Sequence, residues 1–377
     1  MGERALSGSG DVNVYSFDGT SLAFVTKVTY PAIFDAATIR WSHSGKYLAV
    51  GTYIYGAYVY EFDGSSLTQL GSNVYPATFV WSVDWSPDDR YILLTPVQAQ
   101  EIVVHSFNET TGFSATAVAT ADYIAGADQV IASNWSLYGN YIIVVGPQGS
   151  SGFAEVQIYK FTGSSLDLVD SKDFADTNFY YSCRWSPDGK YVVVGGSQGD
   201  TASELILFIF DKATETLTFL DSVDAGASAV INGLDWAPNG KYVAAGITTP
   251  TSPYKELSIF SFDGSQLTLE NAASYAGSTG QEVSWSSSGE YVTIGGWNGS
   301  SSSIDLYRAM DVVSGCLLEN NKVCNTTDWA IGILGGAGNL FLKNLGYNNH
   351  INFSDGVVPL FLQGLTGAPE ALDNVGM

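Results

Sequence analysis

A seven-residue motif occurs six times along the chain. It starts with Trp, passes through a turn and ends with Tyr, as in the segment Trp-Ser-Pro-Asp-Gly-Lys-Tyr at residues 185–191. The motif recurs every 44 to 51 residues, and its six anchors are Trp41, Trp85, Trp135, Trp185, Trp236 and Trp285. A regular period of about 20 to 50 residues is typical of arrays in which each unit buries its apolar face against the next. The motif therefore predicts an array of similar units.

Each unit predicts four strands. The first strand ends at the Trp, and the Asp/Asn-Gly pair that follows tolerates a positive φ and closes a tight hairpin. The second strand is a short apolar run such as residues 191–196, which is typical of a strand covered on both faces. The third strand alternates and ends in Phe, as at residues 157–161, and the fourth is more polar, as at residues 166–171. A polar fourth strand fits an exposed outer edge.

Four short strands per repeat predict an all-β chain folded as a β-propeller of four-stranded blades. The segment 185–195 resembles the core of WD40-type and related bacterial propeller repeats, and the resemblance extends over roughly residues 3–311. The Gly-His dipeptide and the closing Trp-Asp of the strict WD40 pattern are absent, so the buried His/Asp network of that family is not implied. The closer resemblance is to variant repeats on secreted or surface bacterial proteins.

The number of blades depends on the two ends of the array. Residues 12–30 match a third strand, its turn and a fourth strand, whereas residues 304–311 match only a third strand. We favour seven blades, in which the N-terminal partial repeat counts as one blade. Six blades are the alternative, in which the N-terminal strands complete the last blade. A strand donated by a partner chain is a third way to complete the ring.

The chain divides into a propeller at residues 1–311 and a C-terminal tail or cap at residues 312–377. Residues 315–325 align with residues 339–349 at an offset of 24, and short apolar strands followed by Asn resemble two coils of a parallel β-helix. An Asn/Gly-rich cap is the alternative. Cys316 and Cys324 could form a disulfide that stabilises this appendage. We expect Cys183, two residues before a Trp anchor, to be a buried free thiol.

The charge of the chain restricts its partners. The net charge is −23, from 15 basic and 38 acidic residues, yet only 14% of residues are charged. Phosphate binding needs a basic surface, so we expect no nucleic acid partner. No apolar stretch reaches the length of a transmembrane helix, so we expect no membrane insertion. A surface rich in Ser, Thr, Asn and Tyr favours an extracellular or cell-surface location, with any signal peptide already removed.

The sequence offers no catalytic constellation. His43, His105 and His350 are its only histidines, and no Gly-x-Ser-x-Gly elbow accompanies them. We expect His43 to be an exposed turn residue and His105 to pack in the core. The Asp residues of the repeated turns are spread around a ring and cannot converge on one ion, so a turn role is favoured. We therefore expect no cofactor and no metal, and a protein that is not an enzyme.

Propellers commonly use the loops that join strands two and three and strands four and one. In this chain the corresponding loops hold aromatic and small polar residues and almost no Lys or Arg, a composition typical of protein-binding and glycan-binding surfaces. The alternative is that the aromatic side chains fold inward over the channel. The interaction face predicted from these loops comprises Tyr53, Tyr55, Phe179, Asp200, Tyr254 and Trp297.

These observations favour a non-enzymatic β-propeller that acts as an interaction or assembly module. Its partner is another protein or a further copy of the chain, and head-to-tail contacts could build a fibre or a surface layer. The alternatives are a ligand-binding propeller such as a glycan-binding lectin, or a propeller hydrolase such as a lactonase. Those functions need converging carboxylates or a metal on the channel axis.

Overall fold

The computed structural model describes residues 11–308, except for residues 20, 31–35, 124–128, 148–153, 175–178, 198–202, 227, 276–278 and 298–301, and five short strands after residue 316. Within these residues the chain is all-β and its sheets have the arrangement of a propeller, as the repeat predicts. No helix in this part of the chain has the length and apolarity needed to cross a membrane.

The strands follow the repeats in chain order. The N-terminal hairpin contains β1 (Asp11–Phe17) and β2 (Leu22–Thr29). The first sheet contains β3 (Ala36–Trp41), β4 (Tyr47–Thr52), β5 (Ala57–Phe62) and β6 (Leu67–Gln69). The second sheet contains β7 (Val80–Trp85), β8 (Tyr91–Pro96), β9 (Ile102–Asn108), β10 (Gly112–Phe113) and β11 (Ala119–Ala121). The third sheet contains β12 (Ala132–Trp135), β13 (Tyr141–Val145), β14 (Val156–Phe161) and β15 (Leu166–Lys172).

The later repeats have the same order. The fourth contains β16 (Phe179–Trp185), β17 (Tyr191–Ser197), β18 (Leu205–Asp211) and β19 (Thr216–Val223). The fifth contains β20 (Val230–Trp236), β21 (Tyr242–Thr248), β22 (Leu257–Phe262) and β23 (Leu267–Ala273). The sixth contains β24 (Thr279–Trp285), β25 (Tyr291–Trp297) and β26 (Ser302–Arg308). Strands within a repeat pair antiparallel, and one bridge between Ser197 and Val230 joins the fourth and fifth repeats.

The Trp-to-Tyr motif forms the same turn in each described repeat. In the fourth repeat, Ser186 Oγ accepts a hydrogen bond of 2.9 Å from the backbone N–H of Tyr191 and donates one to the Asp188 carboxylate. Gly189 has a φ of 62°, which favours glycine. The turn thereby sets the register in which Trp185 enters the core, where it is 6% exposed.

Neighbouring repeats interlock through aromatic side chains. In the first four repeats the Tyr of the motif packs edge-to-face on a Phe at the end of the third strand of the next repeat. Ring centroids are 4.7 Å apart for Tyr47 and Phe107 and 4.7 Å apart for Tyr191 and Phe262. Such pairs add about 0.5–1.5 kcal/mol to the free energy of area burial. The core therefore lies between the sheets, and each cluster of buried residues contains side chains from two repeats.

The N-terminal hairpin lies between the sixth and first repeats. Phe17 packs edge-to-face on Tyr291 at 4.8 Å, and the Tyr291 hydroxyl donates a 3.1 Å hydrogen bond to the Gly19 carbonyl. On the other side, Val12 joins the apolar core of the first repeat with Leu48. Thus Phe17 occupies the place that Phe262 holds against Tyr191. Seven rather than six blades stays a prediction.

The described tail strands pair in parallel. They are β27 (Leu317–Glu319), β28 (Lys322–Cys324), β29 (Leu340–Leu342), β30 (Leu345–Tyr347) and β31 (Phe361–Gln363). Leu317 pairs with Leu340, one residue short of the predicted offset of 24. The β-helix-like appendage and the division at residue 311 stay predictions. The disulfide is also untested, because Cys316 lies outside the described residues and of Cys324 only the backbone is described.

Candidate functional site

Strand direction gives the central channel two distinct ends. The first strands of successive repeats contact one another around the centre of the ring. Each first strand ends at its Trp, so the Trp-to-Tyr turns all lie at one end, which we call the motif end. The loops between second and third strands, together with those that precede the first strands, lie at the other, which we call the loop end. The predicted interaction face belongs to the loop end.

A cavity of about 300 Å³ lies at the motif end. Its walls come from the last residues of the first strands and from three of the following turns. The lining residues are Arg40, His43, Asp84, Trp85, Asn134, Trp135, Leu137, Arg184, Trp185, Pro187, Asp235, Trp236, Val283 and Ser284. The lining thus combines buried indoles with charged side chains of both signs. The volume is at the lower limit of small-ligand pockets, which span about 300–1,000 Å³.

One position of the repeat supplies most of the polar groups in this cavity. It is the residue immediately before each Trp anchor, and its six occupants are Arg40, Asp84, Asn134, Arg184, Asp235 and Ser284. The anchors themselves are the same in all six repeats, whereas this position changes in charge from repeat to repeat. All six side chains converge on the same cavity because the first strands are innermost in the ring.

The acidic and amide members of this set join neighbouring repeats. Asp84 accepts hydrogen bonds from the backbone N–H of Trp135, at 2.7 Å, and from Asn134 Nδ2, at 2.9 Å. Asn134 Oδ1 in turn accepts from the backbone N–H of Trp185 at 2.8 Å. Asp235 accepts from the backbone N–H of Trp285 at 2.8 Å. These side chains satisfy backbone donors of the next repeat, as buried N–H groups require.

Arg40 and Arg184 cannot accept hydrogen bonds from backbone N–H groups of the next repeat, because a guanidinium has no acceptor. Each donates to the carbonyl of the residue before it, at 3.2 Å to Ile39 and 2.8 Å to Cys183. Among the described residues neither guanidinium forms an ion pair. Repulsion from Arg184 is the main cause that lowers the pKa of Arg40, followed by burial. Burial is the largest influence on Arg184 and acts to lower its pKa, but the combined attraction of nearby groups, led by Glu282 and Asp235, raises the pKa.

His43 lies at the rim of the motif end. Its side chain is 41% exposed, which confirms the prediction of an exposed turn residue. The carboxylate of Asp89, from the turn of the second repeat, accepts from the backbone N–H of His43 at 2.7 Å and of Ser44 at 2.8 Å. His43 Nδ1 lies 3.3 Å from the same carboxylate. The rim is therefore fixed by contacts between two neighbouring turns.

The indole groups around the cavity differ in their hydrogen bonds. Trp85 Nε1 donates to the Arg40 carbonyl at 3.1 Å, and Trp135 Nε1 donates to the Gly139 carbonyl at 2.9 Å. Trp185 and Trp236 are 6% and 4% exposed, and their indole N–H groups have no acceptor among the described residues. The burial of Trp85, Trp135, Trp185 and Trp236 confirms the predicted core role for these four anchors, whereas Trp41 and Trp285 are half-buried.

The loop end carries an aromatic stack. The rings of Tyr53 and Phe79 lie 4.0 Å apart at 24°, and those of Phe79 and Trp81 lie 4.1 Å apart. Trp81 Nε1 donates to Gln129 Oε1 at 2.6 Å. All three rings are half-buried. Residues of the first and second repeats therefore form one continuous aromatic surface at this end of the channel, joined to the third repeat through Gln129.

The remaining members of the predicted face do not act together. Phe179 is 44% exposed and stacks on Tyr181 at 6.4 Å and 13°. Tyr55 and Tyr254 pack against apolar clusters between neighbouring sheets, and burial raises the pKa of Tyr254. Asp200 and the side chain of Trp297 lie outside the described residues. Tyr53 and Phe179 are the predicted residues that contribute to the loop-end surface.

Other candidate groups have structural roles. His105 is 2% exposed, and its Nε2 lies 2.9 Å from the Tyr75 hydroxyl, as expected for core packing. Burial lowers its pKa. The Asp63 carboxylate accepts from the backbone N–H of Ser65 and Ser66, which confirms the turn role. Cys183 is buried and free, and burial raises the pKa of its thiol to about 12. The described residues contain no cluster of metal-binding side chains.

Sequence reasoning missed the motif-end cavity. Its residues are far apart in the sequence, and each resembles an isolated charge beside a core anchor. One signal was present: the position before the Trp changes among Arg, Asp, Asn and Ser, while the Trp never changes. A variable position next to a constant core residue, on the innermost strand of every repeat, indicates side chains that meet at the axis.

Comparisons with known proteins agree on the fold. A family model described as eukaryotic translation initiation factor eIF2A matches residues 121–276. A subunit of eukaryotic translation initiation factor 3 from Nicotiana tabacum is 25% identical over 144 residues, which cover 37% of this chain and 18% of the relative. The chain thus spans less than a fifth of that relative's length.

Solved structures of low sequence identity share the fold. A periplasmic gluconolactonase of Pseudomonas aeruginosa has a TM-score of 0.55 and 20% identity, over 69% of this chain and 76% of its own. A chain from the structure of a mitotic checkpoint complex has a TM-score of 0.58 and 18% identity, over 80% of this chain and 86% of its own. At these identities the likeness shows the fold alone.

The expectation that the chain is not an enzyme is contradicted by this comparison. A gluconolactonase is among the propellers that share the fold, so a propeller of this shape can carry a hydrolase. The physical reason for the error is that the residues of a propeller site need not lie close together in the sequence. In this fold, side chains about 50 residues apart meet in one cavity, as Asp84 and Asn134 do.

Proposed function

We propose that this chain is a protein-binding β-propeller that receives its partner at the loop end. The observation that carries the proposal is the stack of Tyr53, Phe79 and Trp81, with Phe179 and Tyr181 at the same end. Aromatic side chains held rigid before binding lose little conformational entropy when a partner covers them, and they are enriched in binding hot spots. The solved propeller in a mitotic checkpoint complex and the match to a subunit of a translation factor support the same class of function.

A photoreactive phenylalanine analogue at position 179 tests this proposal in an extract of the source cells. Position 219 is the matched control, because Phe219 is 56% exposed on β19, a fourth strand at the outer side of the ring. We expect a discrete covalent adduct at position 179 and none at position 219. The adduct should be lost when Tyr53 and Phe79 are both replaced by Ala. Equal adducts at both positions, or an adduct that survives the double substitution, would contradict the proposal.

We also propose seven blades, with the N-terminal hairpin as part of the seventh. The contact of Phe17 with Tyr291 repeats the contact of Phe262 with Tyr191, which supports this count. Strand pairing supports it too, because among the described residues β1 and β2 pair with each other and β26 pairs only with β25. Replacing Phe17 by Ala should then lower the free energy of unfolding by an amount similar to that expected for Phe262→Ala. A Phe17→Ala variant as stable as the wild type would argue for a loosely attached hairpin.

Self-association and an extracellular location remain part of the proposal. The scarcity of Lys and Arg in a chain of net charge −23 supports a secreted or surface protein. Light scattering over a wide range of protein concentrations distinguishes a second copy of the chain from a different protein as the partner. A mass that grows with concentration would identify a second copy of the chain as the partner, and a constant monomer mass would leave a different protein.

Lactone hydrolysis is a second candidate function, favoured by the motif-end cavity. There the carboxylate of Asp235 shares the cavity with the guanidinium groups of Arg40 and Arg184, which could stabilise a developing oxyanion. Burial raises the pKa of Asp235. Release of acid from glucono-δ-lactone, measured with a pH indicator, tests this candidate. Catalysis that Asp235→Asn abolishes while the fold is retained would support it, whereas no acceleration over buffer would remove it.

A further inference from the structure

We propose that the motif-end cavity binds a small oxyanion, a carboxylate or phosphate group of a soluble ligand, between Arg40 and Arg184. The inference goes beyond partner binding at the loop end, because it concerns a small molecule at the opposite end of the channel.

The two guanidinium groups have unused hydrogen-bonding capacity. A guanidinium has five N–H donors in a planar fork that matches carboxylate and phosphate oxygens. Each of these two arginines gives one hydrogen bond to a backbone carbonyl, that of Ile39 or of Cys183. Neither forms an ion pair within the described residues, although both line the cavity. An oxyanion would supply the missing acceptors.

The nearby acidic groups already have partners. Asp84 accepts from Trp135 N and Asn134 Nδ2, and Asp235 accepts from Trp285 N. If either carboxylate turned toward an arginine, a buried backbone N–H would lose its acceptor, at a cost of about 1–3 kcal/mol. Glu282 is exposed and influences Arg184 without an ion pair. The carboxylates of Asp84 and Asp235 therefore serve backbone donors, and none of the described carboxylates forms an ion pair with Arg40 or Arg184.

The two arginines also lie in a favourable mutual position. They come from the first and fourth repeats and converge on one cavity, where the repulsion between their charges is the largest influence on Arg40. Two like charges in a partly enclosed site repel more strongly than in water. An anion bound between them would add two attractions that offset the repulsion. Because both side chains line the one cavity, a single anion there would contact both guanidinium groups.

The size and lining of the cavity suit such a ligand. About 300 Å³ accommodates a small ligand, such as a short dicarboxylate, a sugar acid or inorganic phosphate. The rings of Trp185 and Trp236 border the cavity, and their indole N–H groups have no acceptor among the described residues. Indole rings in the wall lower the local dielectric, which strengthens charge-assisted hydrogen bonds.

Isothermal titration calorimetry at low ionic strength tests the proposal with sodium phosphate, succinate and gluconate as separate probes. We expect at least one of the three to bind, and its identity distinguishes a phosphate ligand from a carboxylate ligand. Arg40→Gln and Arg184→Gln should each weaken that binding by about tenfold or more, because each removes a charged, bidentate contact. Arg90→Gln is the matched control, since Arg90 lies in a motif turn, is 75% exposed and pairs with Asp88.

The proposal is overturned if none of the three anions binds, or if the double Arg40→Gln, Arg184→Gln variant binds as tightly as the wild type. Chemical modification of the wild-type protein by phenylglyoxal gives a second measurement that does not depend on the folding of any variant. The bound anion should slow modification of Arg40 and Arg184, mapped by mass spectrometry, and leave that of Arg90 unchanged. Equal modification of all three with and without the anion also overturns the proposal.

Discussion

The two ends of the channel are built from the same first strands but present different chemistry. At the loop end, Tyr53, Phe79 and Trp81 pack on one another and form a continuous aromatic surface. At the motif end, polar and charged side chains of six repeats surround a cavity. The difference follows from the strand itself, since residues before its start belong to loops that vary freely, whereas residues at its end adjoin a constant Trp. A repeat can thus keep its core and vary the two ends of its channel independently.

Within the motif end, one position has two roles. Asp84, Asn134 and Asp235 accept backbone N–H groups of the next repeat and hold the ring together. Arg40 and Arg184 occupy the same position and leave their guanidinium groups in the cavity. The residue before the Trp anchor can therefore stabilise the fold in some repeats and face a ligand in others. Substitutions at the two kinds of copy separate the roles, and we expect the structural copies to show the larger effects on stability.

The largest effect is expected from Asp84→Ala. This substitution leaves the Trp135 N–H without its acceptor and removes the hydrogen bond from Asn134, so the free energy of unfolding should fall by about 2–3 kcal/mol. Urea denaturation followed by tryptophan fluorescence measures the change. Asp84→Asn is the matched control and should cost less, because an amide oxygen can still accept from Trp135. Equal losses for the two variants would mean that the charge, and not the acceptor, stabilises the ring.

A smaller effect is expected at the loop end. Tyr53 and Phe79 stack at 4.0 Å, so a double-mutant cycle to Leu should give a coupling free energy of about 1 kcal/mol. The single variants should change overall stability little, because both rings are half-buried. A coupling indistinguishable from zero would show that the stack is not a rigid unit and would weaken its assignment as a preformed binding surface.

Substitutions of the two arginines should have small and unequal effects on stability. Arg40→Gln removes a charge that Arg184 repels, so the free energy of unfolding should stay the same or rise slightly. Arg184→Gln relieves the same repulsion but also removes a charge that Glu282 and Asp235 attract, so its free energy of unfolding should be lower than that of Arg40→Gln. Thermal unfolding at low salt measures both, and added salt should bring the two variants closer together. A large loss of stability in both variants would mean that Arg40 and Arg184 stabilise the ring, as Asp84, Asn134 and Asp235 do.

His105 lies in the core, away from both ends of the channel, and we expect it to make the stability of the fold depend on pH. Burial lowers the pKa of His105 in the folded protein, whereas in the unfolded chain it is close to the ordinary value of about 6.5. Below about pH 6.5 the imidazole of His105 is protonated in the unfolded chain but stays neutral in the folded protein. The contribution of His105 to the free energy of unfolding is therefore full above about pH 6.5 and is lost as the pH falls. His105→Gln should flatten the dependence of unfolding free energy on pH between about 7.5 and 5.5. An unchanged slope would assign that dependence to other groups.

Much of the fold could be predicted from the sequence because it depends on local patterns. The Trp-to-Tyr motif, the Asp-Gly turns and the apolar second strands specify hairpins within one repeat, and their period specifies the array. The hydrogen bonds of Asp63 and Ser186 show this local encoding directly. Ring closure was harder to predict, because the hairpin of β1 and β2 meets Tyr291 from the opposite end of the chain.

The candidate site could be predicted only in part. Tyr53 and Phe179 lie in loops whose composition indicates a surface, and both contribute to the loop end. Tyr254 lies in a loop of similar composition, yet its ring packs inward on Phe260. That packing depends on the room between neighbouring sheets, which no local sequence pattern encodes. The motif-end cavity depends on which residues face each other across the ring. Arg40 and Arg184 meet there only because every first strand is innermost.

The most direct test of the contrast between the two ends is a crystal of the protein soaked in sodium selenate, an oxyanion that scatters anomalously. We expect an anomalous difference peak in the motif-end cavity, within hydrogen-bonding distance of both Arg40 and Arg184, and none among the aromatic rings at the loop end. An empty cavity between two ordered guanidinium groups, with selenate bound only at exposed lysines and arginines, would contradict the contrast.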